Sequence, residues 1–190
     1  MSNGVDDLFF EIPLQREAKT ITFVGRLEGE YLRRVKWILD EVWPALKRSN
    51  PEIQLTVAGK TADADLIRRF KSLGIQHREF VENPAELYSQ QAVLIAPIFK
   101  GYGLINKVVQ AMAAGTLVVG DRTAFNAIPD FESGIHGMVA ETPLDFQNAI
   151  ETAFTQPDLA NQIRRAAREL MGAHFRWGTR VEQLLDSLAL

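Results

Sequence analysis

Six short runs, most of them apolar and β-branched, are separated along this chain by polar loops and longer amphipathic stretches. The runs are Thr20–Val24, Ile53–Ala58, Gln76–Val81, Ala92–Ile98, Thr116–Gly120 and Met138–Ala140, and their length predicts strands. Tyr31–Arg48 predicts a long amphipathic helix, with Leu32, Val35, Leu39, Val42 and Leu46 on one stripe. Ala62–Leu73, stopped by Gly74, and Pro84–Gln90 predict two more helices. Leu104–Ala114 repeats apolar residues at Leu104, Val108, Ala111 and Met112 before a stop at Gly115. Leu144–Thr155, Pro157–His174 and Gly178–Leu190 also read as helical. Strands alternating with helices predict an α/β fold, a doubly wound parallel sheet of about six strands with helices on both faces. Residues Met1–Lys19 are weakly patterned and read as an interdomain or edge segment. There Phe9, Phe10, Ile12 and Leu14 are expected to pack on a neighbouring surface, and Pro13 argues against a helix.

Composition narrows the class. At 190 residues, 46% hydrophobic and 24% charged, the chain suits one well-packed domain and is short for two. A net charge of −3 argues against a broad basic surface for nucleic acid. With no cysteine there is no disulfide scaffold, thiolate metal site or cysteine nucleophile. No apolar stretch approaches the roughly 20 residues of a transmembrane span. The polar, acidic start Met1–Asp7 resembles no targeting signal, so a cytoplasmic location is the expectation. His77, His136 and His174 are scattered without metal-ligand spacing, and no metal site is expected.

The candidate chemistry gathers at the strand ends. Gly25, Gly59, Gly101, Gly103 and Gly120 all fall at or just past them, where ligands sit in such sheets. Lys100-Gly101-Tyr102-Gly103 then opens a helix, and a glycine loop before a helix N-terminus suits a phosphate. Arg26, Lys100 and Lys107 supply positive charge on that rim, whereas Lys60 reads as a solvated loop residue. Asp121 reads as the N-cap of an Arg122–Ala127 helix, and Trp37 and Trp43 as packing residues. There is no Ser/His/Asp order, no G-x-x-x-x-G-K-[ST] loop, and Asn106 occupies the last glycine position of a dinucleotide fingerprint.

The order FVGRL, EVWPALK, LTVAGK and then YSQQAVLIAPIFKGYGLINKVVQAMAAGTLVVG resembles the C-terminal half of GT-B glycosyltransferases of group 1, the family 4 type. The closest pattern is the branch with G-x-G-x-x-N-K-x-x-E-A-M-A-x-G, and the likeness runs from about Thr20 to the Phe175-Arg176-Trp177 element. It implies a Rossmann-like domain over 20–177, preceded by the edge segment 1–19 and followed by a helix over 178–190. That domain would bind a nucleotide-diphosphate sugar. By this resemblance Arg26 and Lys107 neutralise the diphosphate, beside Gly25. The backbone around Gly101, Tyr102, Gly103, Leu104, Ile105 and Asn106 caps it, and Phe80 and Val81 hold the base through backbone contacts. Gln110 stands where relatives place a ribose-binding glutamate, and can hydrogen-bond a diol without the charge. Lys100 stands where many relatives carry another glutamate. The implied reaction is a retaining, metal-independent hexosyl transfer with no cofactor beyond the nucleotide sugar. The partner implied is the N-terminal Rossmann-like half of the same enzyme, which would also provide any peripheral membrane contact. The chain is therefore expected to be an excised half, binding but inactive alone. Two alternatives stay open: a non-catalytic nucleotide-binding or assembly module with a degenerate site, and half of a GT-B nucleotide-sugar epimerase.

Overall fold

The computed structural model of the chain describes residues 4–14, 16, 18–101 and 103–178. Its elements, in order, are α1 (Asp7–Phe10), β1 (Thr20–Val24), α2 (Gly29–Trp37), a π turn (Ile38–Val42), α3 (Trp43–Ser49), β2 (Gln54–Ala58), α4 (Ala64–Ser72), β3 (Gln76–Arg78), α5 (Pro84–Ser89) and β4 (Val93–Ala96). They continue with α6 (Asn106–Ala113), β5 (Leu117–Gly120), α7 (Arg122–Phe125), β6 (Met138–Val139), α8 (Pro143–Thr155) and α9 (Pro157–Phe175). The six strands form one sheet in the order β3-β2-β1-β4-β5-β6, every pairing parallel. This is the Rossmann-like arrangement expected.

Both faces of the sheet are buried, which is why its central strands read as apolar without alternation. Val93 and Ile95 of β4 face a layer formed by α2, the π turn, α3, α4 and α8. Leu94 and Ala96 face the layer of α5, α6 and the second half of α9. Helix α9 divides its buried stripe: Ala160 and Ile163 join the first layer, Ala167, Leu170 and Met171 the second.

The long first helix is continuous but not uniform. Pro44 has no N–H to donate and its ring would press on the carbonyl one turn back. The chain widens just before it, and the Trp43 N–H reaches the Ile38 carbonyl five residues earlier. In the leading segment, Val5, Phe9 and Ile12 are buried against the second layer. A short helix, α1, precedes Pro13, although no helix is expected there. The expected helix over 178–190 lies outside the described residues from 179 onward.

Candidate functional site

The strand order reverses between β1 and β4, so the loops leaving their carboxyl ends run to opposite faces and open a crevice. On the β1 side two glycines let the backbones meet. Gly59 has φ +149°, and a Cβ there would lie 1.9 Å from the Gly25 carbonyl oxygen. A Cβ on Gly25 would strike the Tyr31 ring at 2.4 Å, so that ring lies directly on the end of β1.

Lys107, in the first turn of α6, extends to this point. Its ammonium donates to the Val24 carbonyl at 2.6 Å and sits 4.2 Å from the Tyr31 ring centroid and 5.2 Å from that of Phe23. Burial, and after it the nearby Arg34 charge, push its pKa down to about 7. Arg34 is 5% exposed, although it belongs to an otherwise amphipathic helix. Its guanidinium lies 4.7 Å from the same Tyr31 ring and donates to the Lys100 carbonyl at 2.9 Å, while its Nε has no partner. Among the described residues neither cation has a carboxylate partner. Two buried positive charges without a carboxylate among the described residues are charges that an anion would compensate.

The loop after β4 is held from both sides. Arg34 holds the Lys100 carbonyl, and the Asp121 carboxylate accepts the Ile98 N–H at 3.0 Å and the Phe99 N–H at close range. Phe99 has φ +54°, a left-handed conformation that a bulky residue adopts only when its surroundings impose it. The expected role of Asp121 is thereby corrected. It occupies the N-cap position of α7 but makes no capping bond, because its oxygens are committed to the neighbouring loop.

Of the residues singled out in the sequence, Gly25 and Lys107 come together at the end of β1. Arg26 points outward, 77% exposed in its side chain, with its charge on Glu28 at 3.2 Å. Gly101 and Lys100 line a hollow of about 420 Å³ with Phe99, Thr123 and Asn126. Leu104, Asn106 and Gln110 line a separate one of about 180 Å³, against Val5 and Trp177. Gly103 has φ +79°, and Ile105, at the N-cap of α6, has no side-chain oxygen to close the helix end. The helix thus begins at Asn106, two residues later than expected. Strand β3 ends at Arg78, so Phe80, 78% exposed, and Val81 belong to the following loop. Lys60 is exposed, with its carbonyl taken by the Leu27 N–H. Tyr102 lies outside the described residues.

Sequence reasoning missed Arg34. A faint signal existed in its helical spacing, since Arg34 falls three residues after Tyr31 and four before Ile38. Glu30 pairs with Arg33 at 2.7 Å on the exposed face, while Arg34 lies on the inner face of the same helix.

The sequence family described as "Glycosyl transferases group 1" matches residues 18–156. Comparison with curated proteins finds no match. Among solved structures, the pneumococcal O-GlcNAc transferase GtfA in complex with UDP and GlcNAc superposes with a TM-score of 0.79 at 15% identity, over 98% of this chain and 38% of that one. Anabaena Alr3699/HepE in complex with UDP and glucose gives 0.72 at 17% identity, over 90% and 48%. The C-terminal domain of the group 1 glycosyl transferase LpcC from Francisella tularensis gives 0.68 at 16%, over 86% and 89%. The chain therefore spans less than half the length of the first two, and these similarities show a shared fold. Among the described residues no helix is long and apolar enough to cross a membrane.

Proposed function

This chain belongs to the group 1 glycosyl transferases, and from that premise we propose that it is the donor-binding half of a sugar transferase. It would hold a nucleoside-diphosphate sugar while a second half presents the acceptor. The observation that carries the reading is Lys107, a buried ammonium at the end of β1 beside a second buried cation, Arg34, with no carboxylate among the described residues to neutralise either. A diphosphate supplies that missing charge. During transfer of a hexose-like group it is also where negative charge grows, so cations fixed in advance stabilise the leaving group. Arg26 would join them after leaving Glu28, an exposed pair that costs little to open. We infer a retaining, metal-independent reaction, with the base held along the loop of Phe80 and Val81 and the ribose near Gln110. The UDP complexes of the two longer similar structures support the ligand class.

A thermal-shift titration with UDP, ADP, GDP and dTDP tests this reading. One diphosphate should raise the unfolding midpoint with concentration, as a ligand selective for the native state must. Arg34→Met should weaken that ligand about tenfold, by removing one charge-assisted partner. No shift with any of the four at several millimolar would overturn the donor reading. Gln110→Glu is expected to strengthen binding severalfold, through a charged hydrogen bond to the ribose hydroxyls.

A second reading has one observation in its favour. Lys107 is satisfied within its own chain, by the Val24 carbonyl and the rings around it. A non-catalytic module would keep it there, and would bind the same nucleotides without transferring sugar when joined to the other half.

A further inference from the structure

We propose that the opposite, amino-terminal edge of the sheet carries a second anion site, built on Arg164 and shaped for a phosphate group. Arg164 belongs to the buried stripe of α9, where every other member is apolar. It is 3% exposed and sits where that helix passes from one layer to the other beneath the sheet. One terminal nitrogen donates to Asn161 Oδ1 at 2.9 Å, the other to the Ala92 carbonyl at 3.3 Å, and its Nε is buried without a partner.

The guanidinium lines a cavity of about 300 Å³ together with Arg16, Lys19 and Asn161, with Phe154 and Pro157 as its apolar wall. Among the described residues no carboxylate lines the cavity. Asp158, one residue past Pro157, is exposed and is not part of that lining. Lys19 makes no ion pair among the described residues. Helix α9 starts at this cavity, and its N-cap residue Gln156 gives no side-chain bond, so the positive end of a 19-residue helix adds to the field.

An architectural role accounts for part of the cluster. Arg16 and Arg168 donate to the Ala114 and Ala113 carbonyls and so satisfy the end of α6. It does not account for Arg164, whose Nε–H faces no acceptor. Nor does it explain why like charges are gathered here. Burial and then Arg16 bring Arg164 down to about 10, and burial and then Arg168 do the same to Arg16. A multiply charged oxyanion would relieve that repulsion and accept from several donors at once. The site lies a strand's length, about 15 Å, from Lys107, so both can be filled together.

Amide-resolved NMR of the chain titrated with inorganic pyrophosphate separates this site from the donor site by location. Saturable shifts are expected at Lys19, Ala92, Asn161 and Arg164, and Arg164→Met should weaken them by about tenfold or more while leaving those around Gly25 and Lys107 in place. Lys19→Met gives the same reading if the Arg164 variant does not fold, and Arg164→Lys should restore part of the affinity. Absence of a saturable shift at this edge, or an unchanged one in both methionine variants, would overturn the proposal. Co-sedimentation with phosphatidylglycerol vesicles but not phosphatidylcholine ones, lost with Arg164→Met, would identify a lipid headgroup as the source. Pyrophosphate binding without sedimentation would identify a free phosphorylated ligand.

Discussion

Lys107→Met should bind a nucleoside diphosphate about a hundredfold more weakly than the native chain and yet unfold at a higher temperature. The loss follows from removing a buried cation that meets a doubly charged ligand where water cannot screen it, worth about 2–3 kcal/mol for a hydrogen bond to a charged group. The gain follows from the cost of the same charge in the unliganded fold. Its folded pKa is about 7 against an ordinary value of 10.5, so folding disfavours the ammonium. That destabilisation is fully present below pH 7, shrinks as the pH rises, and is gone above 10.5, where the lysine is neutral in both states. The midpoint difference between variant and native chain should therefore be widest at pH 6 and close toward pH 10. Ligand binding reports the same group in the opposite sense. A diphosphate restores the charged form, so binding takes up a proton above pH 7 and affinity falls as the pH increases. Calorimetry in two buffers of different ionisation enthalpy measures that uptake directly. A variant that is destabilised, or that keeps its nucleotide affinity, would reduce Lys107 to a packing residue.

The two halves of that site differ in how visible they are in the primary structure. Lys107 is legible because it stands at a fixed place in a glycine-loop-to-helix motif, and such motifs act through backbone geometry that residue type and spacing report. The six strands are legible for a similar reason: a sheet buried on both faces needs unbroken apolar runs, and Val93–Ala96 or Leu117–Gly120 can satisfy little else. Arg34 is not legible. A helical arginine is normally a solvated one, and this one is held inward by tertiary partners, the Lys100 carbonyl and the Tyr31 ring. The same holds for Arg164, one charge within an apolar stripe whose exceptional burial comes from where α9 crosses beneath the sheet. The π turn before Pro44 shows the limit from the other side. The proline announces a conflict with helix geometry but not its resolution, which depends on the packing of Ile38, Leu39 and Val42 into the core. Interactions set by sequence neighbours are thus readable, and those set by tertiary neighbours are not.

Asp121 is the sharpest case of that division, and replacing it should have the largest effect on stability. Its side chain reads as a helix cap from its position, yet it is 2% exposed and accepts the Ile98 and Phe99 amides across a gap of more than twenty residues. Asp121→Ala leaves two backbone donors without an acceptor beside the core, a loss of about 3 kcal/mol. For a chain of this length that lowers the unfolding midpoint by about 6–12 °C. Nucleotide affinity should fall as well, because the loop that presents Lys100 and Gly101 would lose its brace at Ile98 and Phe99, and Phe99 would leave its left-handed conformation. Serine at this position separates the two roles. Serine caps helices about as well as aspartate, so Asp121→Ser would keep native stability if capping α7 were the function. It has a single oxygen on a shorter arm and cannot span both amides, so the bracing role predicts a midpoint nearly as low as that of the alanine variant. Asp121→Asn, which retains one acceptor oxygen at full reach, should fall between these two variants and the native chain.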